Sequence, residues 1–345
     1  MAFLGFLSPV FKIIMKWLYG LISNYGWTII IVTVALKIIT IPLDIWVKIS
    51  SKKTQVLNAE MAPELERLKV RYGNNRNEFQ QKQMELYKKH GFSPVGGCLP
   101  VLINVLLMLF LYVSMYSAMN TVSVDIAKEQ YIKYSEVYET QISEGKTTEE
   151  AQDAVYNYYK TDKKGSNSFL WIKNISYKDA NVAPVASFAD FKKTVGGKAV
   201  NDDENVMTFE YNGADTSPIT KEYYETVMAK ITANVTGVNG YFILPILVIG
   251  FSILASFIPE WIERRKLKGV MQLPQQNMLL MKFLMPALLG VLCFTTSATF
   301  GIYLLSNSII GILTGFIVDP ISNNIIKKYI LKKKENNKPK ISYSR

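Results

Sequence analysis

Histidine and cysteine are nearly missing from this chain: one histidine, His90, and two cysteines, Cys98 and Cys293, occur in 345 residues. Neither His-Glu-x-x-His nor Gly-x-Ser-x-Gly is present, which removes the usual metal and serine arrangements of an intramembrane protease. Both cysteines fall at or inside apolar runs, so no disulfide framework is indicated. There is no internal repeat, and no pair of Gly/Pro-broken apolar segments occupies matching halves, as in many transporters. Charge is scarce too, at 19% of residues against 49% hydrophobic. It is almost excluded from four stretches: Trp27–Val47, Leu99–Met119, Tyr241–Ile258 and Phe283–Val318.

That exclusion points to a small membrane protein rather than a large soluble domain. Trp27–Val47 is 21 residues long, enough at 1.5 Å rise per residue to span a ~30 Å hydrocarbon core. The last run is 36 residues, too long for one span and enough for two short ones that break near Ser297–Gly301. Five spans result. The final two have about 15–18 residues each, roughly 22–27 Å, shorter than a typical bilayer core, and such a mismatch thins the membrane locally.

The first run carries Lys37 at its middle. A lysine at that depth costs at least ~2.5 kcal/mol, so it requires protein or water around it. Thr33, Lys37, Thr40 and Asp44 fall on one helical face. Two readings of Lys37 stand: a site facing a polar groove, or a structural ion pair with Asp44. The two residues lie about two turns, ~10 Å, apart, so direct contact requires a distortion at Pro42.

Charge sets the orientation. Residues 119–240 carry 13 Lys+Arg against 18 Asp+Glu, whereas the whole chain has 39 against 28 and a net charge of +11. The basic excess therefore lies in 48–96, 260–282 and 321–345. The positive-inside rule places these in the cytoplasm and the N-terminus and 120–240 outside.

In chain order, residues 1–26 read as an amphipathic helix on the outer interface, kinked or started at Pro9, an uncleaved signal-like anchor being the alternative. A first span follows at 27–47, then a cytoplasmic helical hairpin at 48–96 that turns at Gly73-Asn74-Asn75. The second span is 97–119. An external subdomain occupies 120–240, with helices expected over Asp125–Tyr138 and Thr147–Tyr159, a cap at Thr147–Glu150 and a strand near Val206–Tyr211. The third span is 241–259, the cytoplasmic loop 260–282, the fourth and fifth spans 283–298 and 301–320. The tail 321–345, with seven lysines, is basic and expected to be disordered beyond Lys327.

Several of these stretches resemble the YidC/Oxa family of membrane protein insertases. The first span with its central positive residue and Ile41-Pro42-Leu43 is similar to the start of the family's core. MAPELERLKVRYGNNRNEFQQKQMELYKKHGFSPVGGCLPVLINVLLMLFLY (61–112) is similar to its cytoplasmic hairpin and second span. SFLWIKNI (168–175), YFILPILVIGF (241–251), MKFLMPALLG (281–290) and IYLLSN (302–307) resemble its later elements in order. This chain departs from the family pattern in having Lys37 where arginine is most familiar. It also has Ser297-Ala298-Thr299 where a proline is usual, and long outward segments on both sides of 168–175.

The resemblance implies an all-α polytopic membrane protein of the bacterial cell membrane, with five transmembrane helices around a hydrophilic groove. The groove would open to the cytoplasm and lipid and be closed outside. Lys37, Thr33, Thr40, Asn104, Ser252, Ser256, Thr295, Thr296, Tyr303, Ser306 and Asn307 are the candidate lining. Such a groove would take the hydrophilic tail of a nascent membrane protein part-way into the bilayer, Lys37 attracting its acidic residues. The substrate's own apolar helix supplies the driving force. No cofactor, metal or enzymatic step is needed. Substrates, lipid and the Sec translocon are the implied partners, and the ribosome as well through the basic tail and hairpin. The tail also reads as a mere topological anchor, and Asn104 as helix–helix glue. The alternative from another class is a small-solute or ion transporter with Lys37 as its site.

Overall fold

The computed structural model describes residues 7–90, 94–161, 167–266 and 279–336. It is 77% helical. Residues 1–6, 91–93, 162–166, 267–278 and 337–345 lie outside the described residues. So do parts of three expectations: the hairpin at 48–96, the cytoplasmic loop at 260–282 and the tail.

Helix α1 (Ser8–Ile22) begins with Pro9 in its first turn, where the missing N–H costs nothing. It buries Phe11 and Met15 and exposes Ile13, Trp17 and Leu21. Lys12 and Lys16 meet Asp125 at 3.1 and 2.7 Å, and the Ser8 hydroxyl donates to that of Ser117. A left-handed Ser23 then ends the helix.

Helix α2 (Tyr25–Tyr72) is one continuous helix of 48 residues. The sequence suggests a span ending at 47 and a separate hairpin arm. Instead the helix runs through, because Lys48–Tyr72 is rich in helix formers and Pro42 and Pro63 each remove only one N–H. Gly26 lets α2 start against Phe169: a methyl group there would fall 2.3 Å from the ring. Residues 73–75 turn the chain into α3 (Arg76–Lys89), whose first turn is capped by the Asn75 side chain accepting from the Glu78 N–H. Glu64 joins the two arms, 3.6 Å from Lys89 and 3.3 Å from His90.

Helix α4 (Pro94–Ser143) is again continuous, 50 residues long, so the helix expected over Asp125–Tyr138 is the extension of the second apolar segment. α5 (Thr148–Thr161) opens on a reciprocal cap: Glu150 N–H donates to the Thr147 hydroxyl, and the Glu150 carboxylate accepts from Thr147 N–H. The Glu150 carboxylate also accepts from the Thr147 hydroxyl, and the bonds it accepts from Thr147 N–H and hydroxyl hold it below its usual pKa. α6 (Phe188–Val195) leads into β1 (Lys198–Val200), β2 (Asp203–Thr208), β3 (Glu210–Tyr211), β4 (Ala214–Asp215) and β5 (Ile219–Thr220), then α7 (Lys221–Asn234). The strands make an antiparallel sheet in the order β1-β2-β5 and a β3–β4 hairpin. A tyrosine-rich core of Tyr131, Phe188, Phe191, Met207, Phe209 and Tyr224 holds them to α4.

The 168–182 segment ties this subdomain to the remaining helices. The Asp179 carboxylate accepts from the N–H groups of Tyr241 and Leu244, so it caps α8 (Ile243–Lys266). The buried Asn239 side chain donates to the carbonyls of Asn174 and Lys178. α9 (Leu279–Thr295) and α10 (Ala298–Asn336) are joined by a two-residue turn. The free N–H groups of Ala298 and Thr299 donate to Tyr177 and Ile175 carbonyls. α10 is 39 residues long and runs through Pro320, so residues 327–336 of the tail expected to be disordered are helical. Their apolar positions explain it: Ile326 and Ile330 pack with Val56.

Among the described residues three helices, Tyr25–Tyr72, Leu106–Ser143 and Ala298–Lys332, are long and apolar enough to cross a membrane, and Ile243–Ile258 and Lys282–Thr295 are shorter apolar helices. The chain divides into two compact units. One is Met1–Val34, Leu111–Phe251 and Pro286–Asn307; the other is Ala35–Phe110, Ser252–Met285 and Ser308–Arg345.

Candidate functional site

The candidate residues fall into both units. Thr33, Thr295, Thr296, Tyr303, Ser306 and Asn307 belong to the first, and Lys37, Thr40, Asn104, Ser252 and Ser256 to the second.

In the first unit most of the hydroxyls are engaged by their own helices. Thr33 donates to Ile29 O at 2.7 Å, Thr296 to Leu292 O at 2.7 Å and Ser306 to Ile302 O at 2.7 Å. Thr295 donates to Val291 O and Leu292 O. A hydroxyl bonded one turn back is how an apolar helix hides a polar group. Tyr303 is buried against Tyr112 and Phe300, with centroids 5.4 and 5.9 Å away. Asn307 is half-buried.

The second unit holds the charge. Lys37 Nζ donates to Asp44 Oδ2 at 2.8 Å, so the ion pair that competed with the groove reading of the sequence is formed. Pro42 lies between the partners, and the Thr40 hydroxyl donates to the Lys37 carbonyl at 3.0 Å. The reach comes from the four-carbon lysine stem, which runs along the helix toward a carboxylate two turns on. Both side chains keep about a quarter of their surface exposed, 23% and 26%. Ser252 and Ser308 hydroxyls meet at 3.0 Å, and Ser256 donates to Ser252 O. Asn104 lies within α4, but its side chain is outside the described residues.

Further along the same α2 face, Lys48 pairs with Asp319 and Lys52 donates to Asn323, both on α10. The spacing 37, 44, 48, 52 is one helical stripe. Lys52, Asp319, Ser322 and Asn323 are all buried. The sequence reading missed this cluster. Its signal was Asp319 at the very end of an apolar run, where a carboxylate needs a partner.

Among the described residues no three His, Cys, Asp or Glu side chains come together as metal ligands would. A cavity of about 80 Å³ lies in the first unit between α4, α7 and the 167–191 segment, lined by Tyr131, Tyr134, Tyr159, Tyr177 and Tyr224. It has room for one small side chain.

Known proteins give the same picture as the apolar helices. Residues 17–324 match the family described as 60Kd inner membrane protein. Relatives named membrane protein insertase YidC include one from Aromatoleum aromaticum, 39% identical over 105 residues, which are 30% of this chain and 18% of that protein. Another, from Wolinella succinogenes, is 33% identical over 124 residues, 36% of this chain and 22% of that protein. A third, from Paracoccus denitrificans, is 40% identical over 105 residues, 30% of this chain and 16% of that protein. The matched stretches thus span less than a quarter of these relatives' lengths. With most of its length matched by one family model and its helices apolar at span length, the chain is a polytopic membrane protein that belongs to the 60Kd inner membrane protein family, that of the YidC/Oxa proteins.

Proposed function

We propose that this protein is a membrane protein insertase in which the polar stripe of α2 around Lys37 receives the hydrophilic segment of an incoming membrane protein. The observation that carries the reading is a basic side chain at the middle of an apolar 21-residue stretch, partly exposed and bounded by Thr40. A charge kept at that depth has to be useful there, since its insertion is costly. The names of the relatives support the same activity. A hydrophilic tail held in such a stripe crosses less hydrocarbon, while its adjoining apolar helix partitions into lipid. No covalent step or nucleotide enters.

In this reading the N-terminus and 120–240 face outward, and the α2–α3 hairpin and α10 tail face the cytoplasm, as the distribution of basic residues suggests. The hairpin and tail are then placed to approach a ribosome, and the Sec translocon is a lateral partner. The polar residues that accompany Lys37 in its unit, Thr40, Ser252 and Ser256, line the receiving stripe.

Proteoliposomes containing only this protein test the reading. A single-span substrate is synthesised in vitro and its insertion read by protease protection. Wild type inserts it, and Lys37→Glu loses most of that activity, more for acidic-tailed substrates than for neutral ones. Absence of insertion by the folded wild type refutes the reading.

A further inference from the structure

Two lysine–aspartate pairs lie on one stripe of α2, and they differ in access. At Lys48–Asp319 the carboxylate side chain is only 2% exposed and belongs to α10, so separating the pair means opening helix packing. At Lys37–Asp44 both partners belong to the same helix, and each is about a quarter exposed. Exchanging the partner of Lys37 needs only rotamer changes on one helix. The ion pair also solves a problem of the empty state: a lone ammonium in an apolar run is more costly than one with a carboxylate at 2.8 Å.

We propose that Asp44 is the resident carboxylate of the Lys37 site. It neutralises Lys37 when no substrate is present and is displaced by an aspartate or glutamate side chain of an incoming polypeptide. It thereby sets how strongly acidic segments are preferred. The ligand class is a polypeptide carboxylate, and the site selects by exchange of like for like: a neutral amide cannot replace Asp44 without leaving Lys37 unpaired. This rests on the insertase reading given above. It assigns Asp44 the part of specificity-determining residue, competing with substrate rather than merely holding the helix.

The test compares insertion of two single-span substrates, one with an aspartate-rich tail and one with asparagine at the same positions, by the full chain in proteoliposomes. The readout is the ratio of acidic-tail to neutral-tail insertion. Removing the competitor with Asp44→Asn raises that ratio about three- to five-fold, the factor a partly exposed ion pair is worth. Asp44→Glu keeps the carboxylate and keeps the wild-type ratio; a ratio raised as far as in Asp44→Asn overturns the proposal, and this variant also decides the matter if Asp44→Asn does not fold. Lys37→Gln brings the ratio to near unity in either background. If Lys37→Gln lowers the ratio while Asp44→Asn leaves it unchanged or lower, Asp44 is structural and the insertase reading survives. If Lys37→Gln leaves the ratio unchanged, tails do not meet Lys37, and both this proposal and that role of Lys37 fall.

Discussion

Asp125 shows how one side chain decides where a whole helix lies. It sits on α4 beyond the apolar segment and takes Lys12 and Lys16 of α1 on the same oxygen. Partial burial pushes its carboxyl pKa up, but the hydrogen bonds and charges of Lys16 and Lys12 together outweigh that and hold it below the usual carboxylate value. A carboxyl with a depressed folded pKa contributes stability that is complete above its unfolded pKa, ~3.9, and is lost as pH falls through the folded value. Amide exchange of α1, corrected for intrinsic rates, is therefore expected to quicken below about pH 4. Asp125→Asn should show the fast exchange already at neutral pH and lose the acid step. The pair is exposed enough that the effect is modest and weakens with salt.

At the scale of elements, α2 and α10 are long because each continues past its apolar segment into a polar one, and the buried cluster is what lets them. Lys48–Asp319 and Lys52–Asn323 sit beside the apolar contacts of Val56, Ile326 and Ile330. Removing one charge from a buried pair leaves the other uncompensated, so Asp319→Ala is expected to cost about 3–5 kcal/mol. The double change Lys48→Met with Asp319→Leu is expected to recover most of that loss, because a well-packed apolar pair often equals a buried ion pair. Thermal inactivation of the detergent-solubilised protein reads both. Failure of the double variant to recover would mean that the pair fixes the approach of the helices rather than only filling it.

At the scale of the molecule, the 183–238 segment is an elaboration whose two ends are stitched together: Asn239 N–H donates to Val182 O at 2.7 Å. Its core centres on Tyr224, stacked on Tyr131 and Phe191 at 5.3 and 5.1 Å and edge-on to Phe188. Tyr224→Ala is expected to cost about 3–5 kcal/mol within that core. Protease sites between 183 and 238 should open first, while α8 and α10 stay protected through Asp179 and Ile175. Simultaneous loss of α8 would show that the subdomain and the helices unfold as one.

What could be read from the chain alone was whatever depends on near neighbours. The apolar helices, the turn at Gly73–Asn75 and the cap at Thr147–Glu150 follow from periodicity, backbone freedom and side-chain reach over three or four residues, whereas the strand expected at 206–211 breaks at Phe209 into β2 and β3 of different sheets. Family resemblance in the 61–112 block was equally legible, and so was the anomaly of a lysine within an apolar run. The sequence left open how that lysine is satisfied, because Asp44 and a groove both fit the same face. Only the tertiary structure paired Lys37 with Asp44. It also joined Lys52 to Asn323, 271 positions away, carried α2, α4 and α10 past their apolar limits and turned the hydroxyls of Thr33 and Ser306 onto their own backbone. A long flexible side chain has many partners within reach, and desolvation selects among them only once distant helices have closed around it.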